Sequence, residues 1–183
     1  MKWTSMRVVL QGLYAVRERR GQGRKRLEKE PITREGFEAL KKEKDELWTV
    51  TRPEITEKVS WAASLGDRSE NADYHYNKKR LRQIDRRIRF LNKRLQSLYI
   101  VDRPTKNLDK VYFGAWVTVE DEEGENRLYR IVGTDEIYNA PKGYISFKSP
   151  VARALIGKEL DDEVTVQTPN GEDLLCIVSI EYK

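Results

Sequence analysis

The feature that most restricts how this chain can fold is a run of large aliphatic residues at alternating spacings of three and four. The run consists of Leu81, Ile84, Ile88, Leu91, Leu95 and Leu98. This spacing is that of a coiled-coil seam, and continued backwards the seam includes Tyr74 and Asn77. The sequence therefore predicts a long helix whose narrow apolar edge needs a partner helix.

The partner is predicted in residues 33–65. Its apolar face is formed by Phe37, Leu40, Leu47, Ile55, Val59 and Ala62. Thr33 is a suitable N-cap, and Pro53 predicts a kink or a brief break. Because only a short link around Gly66 separates the two helices, they must be antiparallel. The expected product is a rod of roughly 45 Å that is two helices thick.

From about residue 105 the apolar pattern changes to the period of strands. Five strands are predicted, at residues 111–119, 127–132, 144–147, 164–168 and 174–182. Ser149 followed by Pro150 predicts a short helix between the third and fourth strands. The predicted fold class is α+β, with a long antiparallel helical hairpin followed by a small domain on a mainly antiparallel sheet.

Charge is segregated along the chain. Residues 1–32 and residues 66–104 each carry a net charge of +6, whereas residues 105–183 carry −6. This asymmetry indicates a nucleic-acid contact in the first half, and either a basic protein partner or simple solubility in the second. We therefore divide the chain into a basic, flexible extension (1–30), the hairpin with an acidic tip (31–104) and a globular domain (105–183).

The residue inventory argues against several classes of protein. The chain has one histidine, His75, and one cysteine, Cys176, which are too few for a common zinc site or an internal disulfide. The lack of a disulfide fits a reducing cytoplasm. No phosphate-binding loop or dinucleotide motif occurs, and no apolar run approaches the roughly 18 residues of a membrane span. We expect a cytoplasmic protein that is neither an enzyme nor bound to a membrane.

The hairpin tip, residues 66–74, holds the best candidate for metal chemistry. Gly66 is expected to end the first helix in a left-handed conformation. Asp67 and Glu70 are three residues apart, and on spacing alone they predict a capping box that opens the second helix. Alternatively, the two carboxylates face the same way and offer oxygen ligands to Mg²⁺, which takes only one or two carboxylates from a protein. Such a tip would complete a metal site without holding the ion alone.

Behind the tip the second helix becomes strongly basic. Between Lys78 and Arg94 there are nine basic residues and one acidic residue, Asp85. A solvated coiled-coil face usually mixes the two signs, so we favour a contact with phosphate groups over that alternative. Such a contact would hold RNA without reading its sequence. The candidate RNA-binding residues are Lys78, Lys79, Arg80, Arg82, Arg86, Arg87, Arg89 and Lys93.

The tip also carries a resemblance to a known family. The segment SWAASLGDRSENADY, from Ser60 to Tyr74, closely resembles the hairpin tip of the Gre transcription elongation factors, and most of all their B type. The likeness covers about 150 residues. It includes PITREG at 31–36, NKKRLR at 77–82, FGAWV at 113–117 and SPVARAL at 149–155.

The resemblance implies a fold and a partner. Gre factors have a coiled-coil hairpin and a C-terminal domain like the FK506-binding proteins. The C-terminal domain docks on RNA polymerase at the rim of its secondary channel, and the hairpin enters that channel. On this chain the docking segment falls on Ser149, Pro150 and Val151. The family often has an acid just before this segment, whereas this chain has Lys148. The expected partners are RNA polymerase and the nascent RNA 3′ end, and we expect a monomer.

The resemblance also implies an activity. Gre factors stimulate the polymerase's own cleavage of backtracked RNA. Their two tip acids fall on Asp67 and Glu70, which would stabilise the second catalytic Mg²⁺ of the polymerase and orient water. Two other functions compete with this one. A channel-entering inhibitor is disfavoured by the retention of both acids, and prolyl isomerisation by the C-terminal domain rests on fold analogy alone.

Overall fold

The structure is a computed structural model that describes residues 29–66, 68–102, 104, 106–138, 140–168 and 171–183. Residues 1–28, which make up most of the predicted extension, lie outside the described residues, and so does Asp67. In the part of the chain that is described, no helix has both the length and the apolar character needed to cross a membrane.

The first arm of the hairpin contains two helices, α1 (Arg34–Glu46) and α2 (Arg52–Ser64), with a π-helical segment (Leu47–Thr51) between them. Thr33 is the N-cap of α1, as predicted, and its hydroxyl accepts a hydrogen bond from the backbone N–H of Gly36 at 3.0 Å. The second arm is a single helix, α3 (Ala72–Gln96), which packs antiparallel to the first arm.

The break predicted at Pro53 takes the form of the π-helical segment just before it. Proline has no N–H, so the carbonyl four residues earlier would lose its partner in a regular helix. The backbone forms a wider, π-helical turn instead, in which the N–H of Arg52 donates to the carbonyl of Leu47, five residues back. One extra residue is thereby inserted into the first arm.

The hairpin has a thin core. Ile55 of α2 packs against Ile84 and Ile88 of α3, and these three are the buried members of the cluster. The predicted seam is right up to Leu95 but wrong at Leu98, because α3 ends at Gln96. Leu98 is buried in a strand, β2 (Leu98–Ile100), which pairs in parallel with β1 (Glu30–Ile32). This strand pair closes the base of the hairpin and was not predicted.

The globular domain is built on a five-stranded sheet of order β5–β4–β3–β7–β6. Its strands are β3 (Trp116–Asp121), β4 (Asn126–Val132), β5 (Tyr144–Ser146), β6 (Glu163–Thr168) and β7 (Gly171–Glu181). All neighbours are antiparallel except β4 and β5. The short helix α4 (Pro150–Leu155) lies against the sheet and buries Ala152 and Leu155 in its core. The α+β class is confirmed.

Candidate functional site

The tip is organised by a residue that the sequence analysis did not single out. Asn71 is the N-cap of α3, and its side-chain oxygen accepts a hydrogen bond from the N–H of Tyr74 at 3.0 Å. Its amide nitrogen donates to the carbonyl of Ala62 on α2 at 2.9 Å. One side chain thus starts the second helix and ties it to the first. Asparagine is among the best N-cap residues, which is the signal that could have identified it.

The capping box predicted for Asp67 and Glu70 is therefore wrong. The helix begins at Ala72 with Asn71 as its cap, so Glu70 precedes the helix instead of occupying its third position. The expected reversal at Gly66 is confirmed, because its φ is +115°, a left-handed value that favours glycine. The carboxylate of Glu70 is therefore not engaged in the capping box that the spacing suggested.

Glu70 is exposed and makes no hydrogen bond or ion pair with any residue that the structure describes. Asp67, the other predicted catalytic and metal-binding residue, lies outside the described residues. His75 is exposed, and its Nε2 lies 3.1 Å from the carbonyl oxygen of Ser69. The carboxylate of Glu70 is consequently available to a partner.

Basic groups begin directly behind the tip. The Lys78 ammonium donates to the Tyr74 hydroxyl at 2.9 Å and lies 4.9 Å from the centre of its ring. This hydrogen bond lowers the pKa of Tyr74, and the positive charges of Lys78, Arg68 and Arg82 act in the same direction. Positive side chains therefore lie directly behind the tip.

Most of the candidate RNA-binding residues are exposed and unpaired. Within the described part of the chain, no ion pair engages Lys79, Arg80, Arg82, Arg86, Arg89 or Lys93. Arg87 is different, because its guanidinium donates two hydrogen bonds to Glu43 of α1, at 2.7 and 2.8 Å. The acid within this region, Asp85, accepts a hydrogen bond from Arg52 on α2 at 2.9 Å. We call the six unpaired residues the basic stripe.

The predicted docking residues lie at the start of α4. Ser149 caps this helix, and its hydroxyl accepts a hydrogen bond from the N–H of Ala152 at 3.2 Å. Pro150 occupies the first turn and is exposed, whereas Val151 packs against the core of the domain. The residue that departs from the family pattern, Lys148, reaches Glu30 of β1 at 2.5 Å. Its charge is therefore engaged within its own chain.

That ion pair belongs to a larger joint between the hairpin base and the globular domain. Four charged side chains follow one another in a row: Lys148, Glu30, Arg94 and Asp135. Arg94 reaches Glu30 at 2.5 Å and Asp135 at 2.7 Å. Hydrogen bonds from Lys148 and then Arg94 lower the pKa of Glu30. The row begins and ends in the globular domain, so its two outer links cross between the regions, whereas the link between Glu30 and Arg94 lies within the hairpin base.

Glu136 forms the second part of the joint. Its carboxylate accepts hydrogen bonds from the N–H of Gly133 at 2.7 Å, from the N–H of Thr33 at 3.1 Å, and from the hydroxyl of Thr33. A Cβ added at Gly36 would overlap this carboxylate, so a larger residue there would force the carboxylate to move. The residue that caps α1 is thereby fixed to the globular domain.

Two comparisons identify the relatives of the chain. Residues 30–100 match the family described as transcription elongation factor, N-terminal, and residues 105–182 match transcription elongation factor, GreA/GreB, C-term. The transcription elongation factor GreB of Vibrio vulnificus is 63% identical over 151 residues, which cover 82% of this chain and 94% of the relative. GreB of Pseudomonas putida is 61% identical over 151 residues, with coverages of 82% and 93%.

Among solved structures, that of Thermus aquaticus Gfh1 aligns at 24% identity over 84% of this chain and 99% of that chain. Its TM-score is 0.39, which is too low to add to the assignment. The sequence matches are sufficient, because together they span nearly all of the described residues. This chain belongs to the GreA/GreB family of transcription elongation factors.

Proposed function

We propose that this protein acts with RNA polymerase and stimulates the polymerase's own cleavage of backtracked nascent RNA. The protein is not itself an enzyme in this proposal. Its hairpin enters the secondary channel, and its globular domain docks at the rim through the start of α4. The observation that carries the proposal is the exposed carboxylate of Glu70 at the far end of the hairpin, in a chain of the GreA/GreB family.

The tip fits the role of a partial metal ligand. Glu70 offers carboxylate oxygens with no competing partner among the described residues, and carboxylates are the ligands that Mg²⁺ accepts in proteins. Asp67 is proposed as the second carboxylate. When bound in the polymerase, the ion supplies charge stabilisation at the RNA phosphate and a more acidic water. Glu70 and Asp67 would help to hold this ion and to orient the attacking water.

The basic stripe supports the RNA contact. Its six side chains are exposed, so their charges are free for phosphate groups. Five of them lie on the face of α3 opposite Ile84 and Ile88, and Arg80 lies at the flank of the helix. Arg87 and Lys78 are also proposed as RNA contacts, although each is held by another side chain in the free protein. We propose that the stripe holds the extruded 3′ segment of RNA alongside the rod.

Glu70→Gln tests the proposal directly. We expect at least a tenfold loss of stimulated cleavage on a stalled, backtracked complex, with binding to polymerase unchanged. Because the Glu70 side chain has no partner among the described residues, its free energy of unfolding should change by less than about 0.5 kcal/mol.

Glu57→Gln is the matched control. It removes the same charge from an exposed position on the same rod, and it should leave cleavage intact. Full cleavage by Glu70→Gln would contradict the proposed role of the tip. A wild-type protein that binds the complex and inhibits it without cleavage would instead support a channel-blocking regulator.

A further inference from the structure

The middle of the rod carries an exposed aromatic side chain that the proposed function does not use. Trp48 lies in the π-helical segment, and 57% of its surface is exposed. Val50 in the same segment is 51% exposed. Trp48 directly follows Leu47, which packs against the hairpin core, so its indole lies beside the apolar seam instead of within it. Turns of the π-helical kind often occur at functional positions.

The indole is held in place by a clamp that spans both arms. The guanidinium of Arg52 lies 5.4 Å from the centre of the Trp48 ring, within the range of a cation–π contact. Arg52 is itself fixed by its hydrogen bond to Asp85 of α3 at 2.9 Å. This arrangement orders the indole and turns it towards the flank of α3.

A cleft of about 240 Å³ lies between the indole and that flank. It is lined by Lys44, Asp45 and Trp48 of the first arm and by Ile88 and Asn92 of α3. Asn92 is exposed, so its amide can donate and accept hydrogen bonds at the edge of the cleft. The cleft therefore has an aromatic wall, an aliphatic floor and a polar edge.

Positive charge borders the cleft on its outer side. Arg89 and Lys93 each follow a lining residue of α3 by one position, and both belong to the basic stripe. One helical step turns a side chain by about 100°, so both point from the edge of the cleft towards the outward face. An aromatic ring beside a track of cations is the combination that binds single-stranded nucleic acid.

From these observations we propose that Trp48 is a stacking site for a base of single-stranded RNA whose phosphates contact Arg89 and Lys93. The inference rests on the proposed function for its source of RNA, and it adds a base contact that the phosphate-binding stripe lacks. Trp48 is separated from Leu65 by 17 residues of helix, or about 25 Å along the rod. Only a long extruded RNA would reach it.

The test measures the affinity of the factor for backtracked polymerase complexes that carry either a short or a long extruded RNA. Trp48→Leu removes the aromatic face and keeps an apolar side chain, Trp48→Phe keeps a smaller ring, and Val50→Ala is the control in the same segment. A stacked base contributes enough that its loss should weaken binding about tenfold. We expect this loss for Trp48→Leu on long RNA only, with a smaller loss for Trp48→Phe and none for Val50→Ala.

Abasic nucleotides in the long RNA identify the contact. For the wild type, abasic RNA should weaken binding as much as Trp48→Leu does, and it should have no further effect on that variant. Equal losses on short and long RNA would overturn the proposal and indicate that the indole contacts the polymerase. Unchanged binding by Trp48→Leu would also overturn it. Because the readout is binding, it stands apart from the cleavage assay that tests the tip.

Discussion

The two ends of the hairpin differ in how their polar groups are used. At the base, the Glu136 carboxylate accepts three hydrogen bonds, and a row of four charges joins the hairpin to the globular domain. At the tip, the side chain of Asn71 makes two hydrogen bonds, while that of Glu70 makes none with the described residues. The base fixes the direction of the rod, and the tip keeps its acid free for another molecule.

This difference follows from burial. Thr33 is buried at the base, so its backbone and hydroxyl groups need partners inside the protein. Glu70 is exposed, and water satisfies its carboxylate until a partner replaces that water. Substitutions at the base should therefore change stability and domain orientation, whereas substitutions of the tip acid should change function alone.

The largest expected effect is that of Glu136→Ala. It removes the acceptor for Gly133 and Thr33 and leaves the N–H of Thr33 without its partner. We expect a loss of about 3 kcal/mol in the free energy of unfolding, measured by urea denaturation. Fluorescence energy transfer between the tip and the globular domain should show a broader distribution of distances. A loss below about 1 kcal/mol with an unchanged distance distribution would show that the joint does not depend on Glu136.

Asn71→Ala should have an intermediate effect. It removes the cap of α3 and the bond to Ala62, with an expected loss of about 1–2 kcal/mol. The effect should be local, so hydrogen exchange should accelerate at the amides of Tyr74 and His75 and remain unchanged in the sheet. Asn71→Ser, which keeps a capping oxygen, is the control that should recover part of the stability. Unchanged exchange at both amides would contradict the role of Asn71.

The smallest of these stability effects is the pH dependence of the charge row. The pKa of Glu30 is lowered in the folded protein, so the contribution of its ion pairs to the free energy of unfolding is fully present above the unfolded pKa of about 4.3. That contribution is lost as the pH falls through the folded pKa. The difference in unfolding free energy between wild type and Glu30→Gln should therefore be greatest near pH 6 and shrink below about pH 4. A difference that stays constant over this range would exclude the ion pairs as its source.

The sequence predicted the features that depend on local pattern. The seam from Leu81 to Leu95 identified α3, Thr33 was recognised as a cap, and Pro53 located the irregular turn to within a few residues. Each of these signals lies within one or two helical turns. The expected strand at 111–119 began too early, because residues 113–114 form a turn in which Gly114 has a φ of +88°. Periodicity alone cannot show where such a turn ends.

The joint could not be predicted in the same way. Thr33 and Glu136 are 103 positions apart, and neither carries a pattern that selects the other. Leu98 also fits the heptad, but the parallel pairing of β1 with β2 outweighs one more turn of helix. At the tip, the spacing of Asp67 and Glu70 fitted a capping box, yet Asn71, an equally good cap four residues after Asp67, starts the helix.

The π-helical segment determines which face of α1 meets the second arm. A residue added to or removed from a helix rotates everything beyond it by about 100°. Deleting one residue from Leu47–Thr51 would therefore turn the apolar face of α1 away from α3, against the β1–β2 pairing and the Arg94–Asp135 bond that hold both arms at the base. This single turn keeps the interrupted first arm in register with an uninterrupted second one.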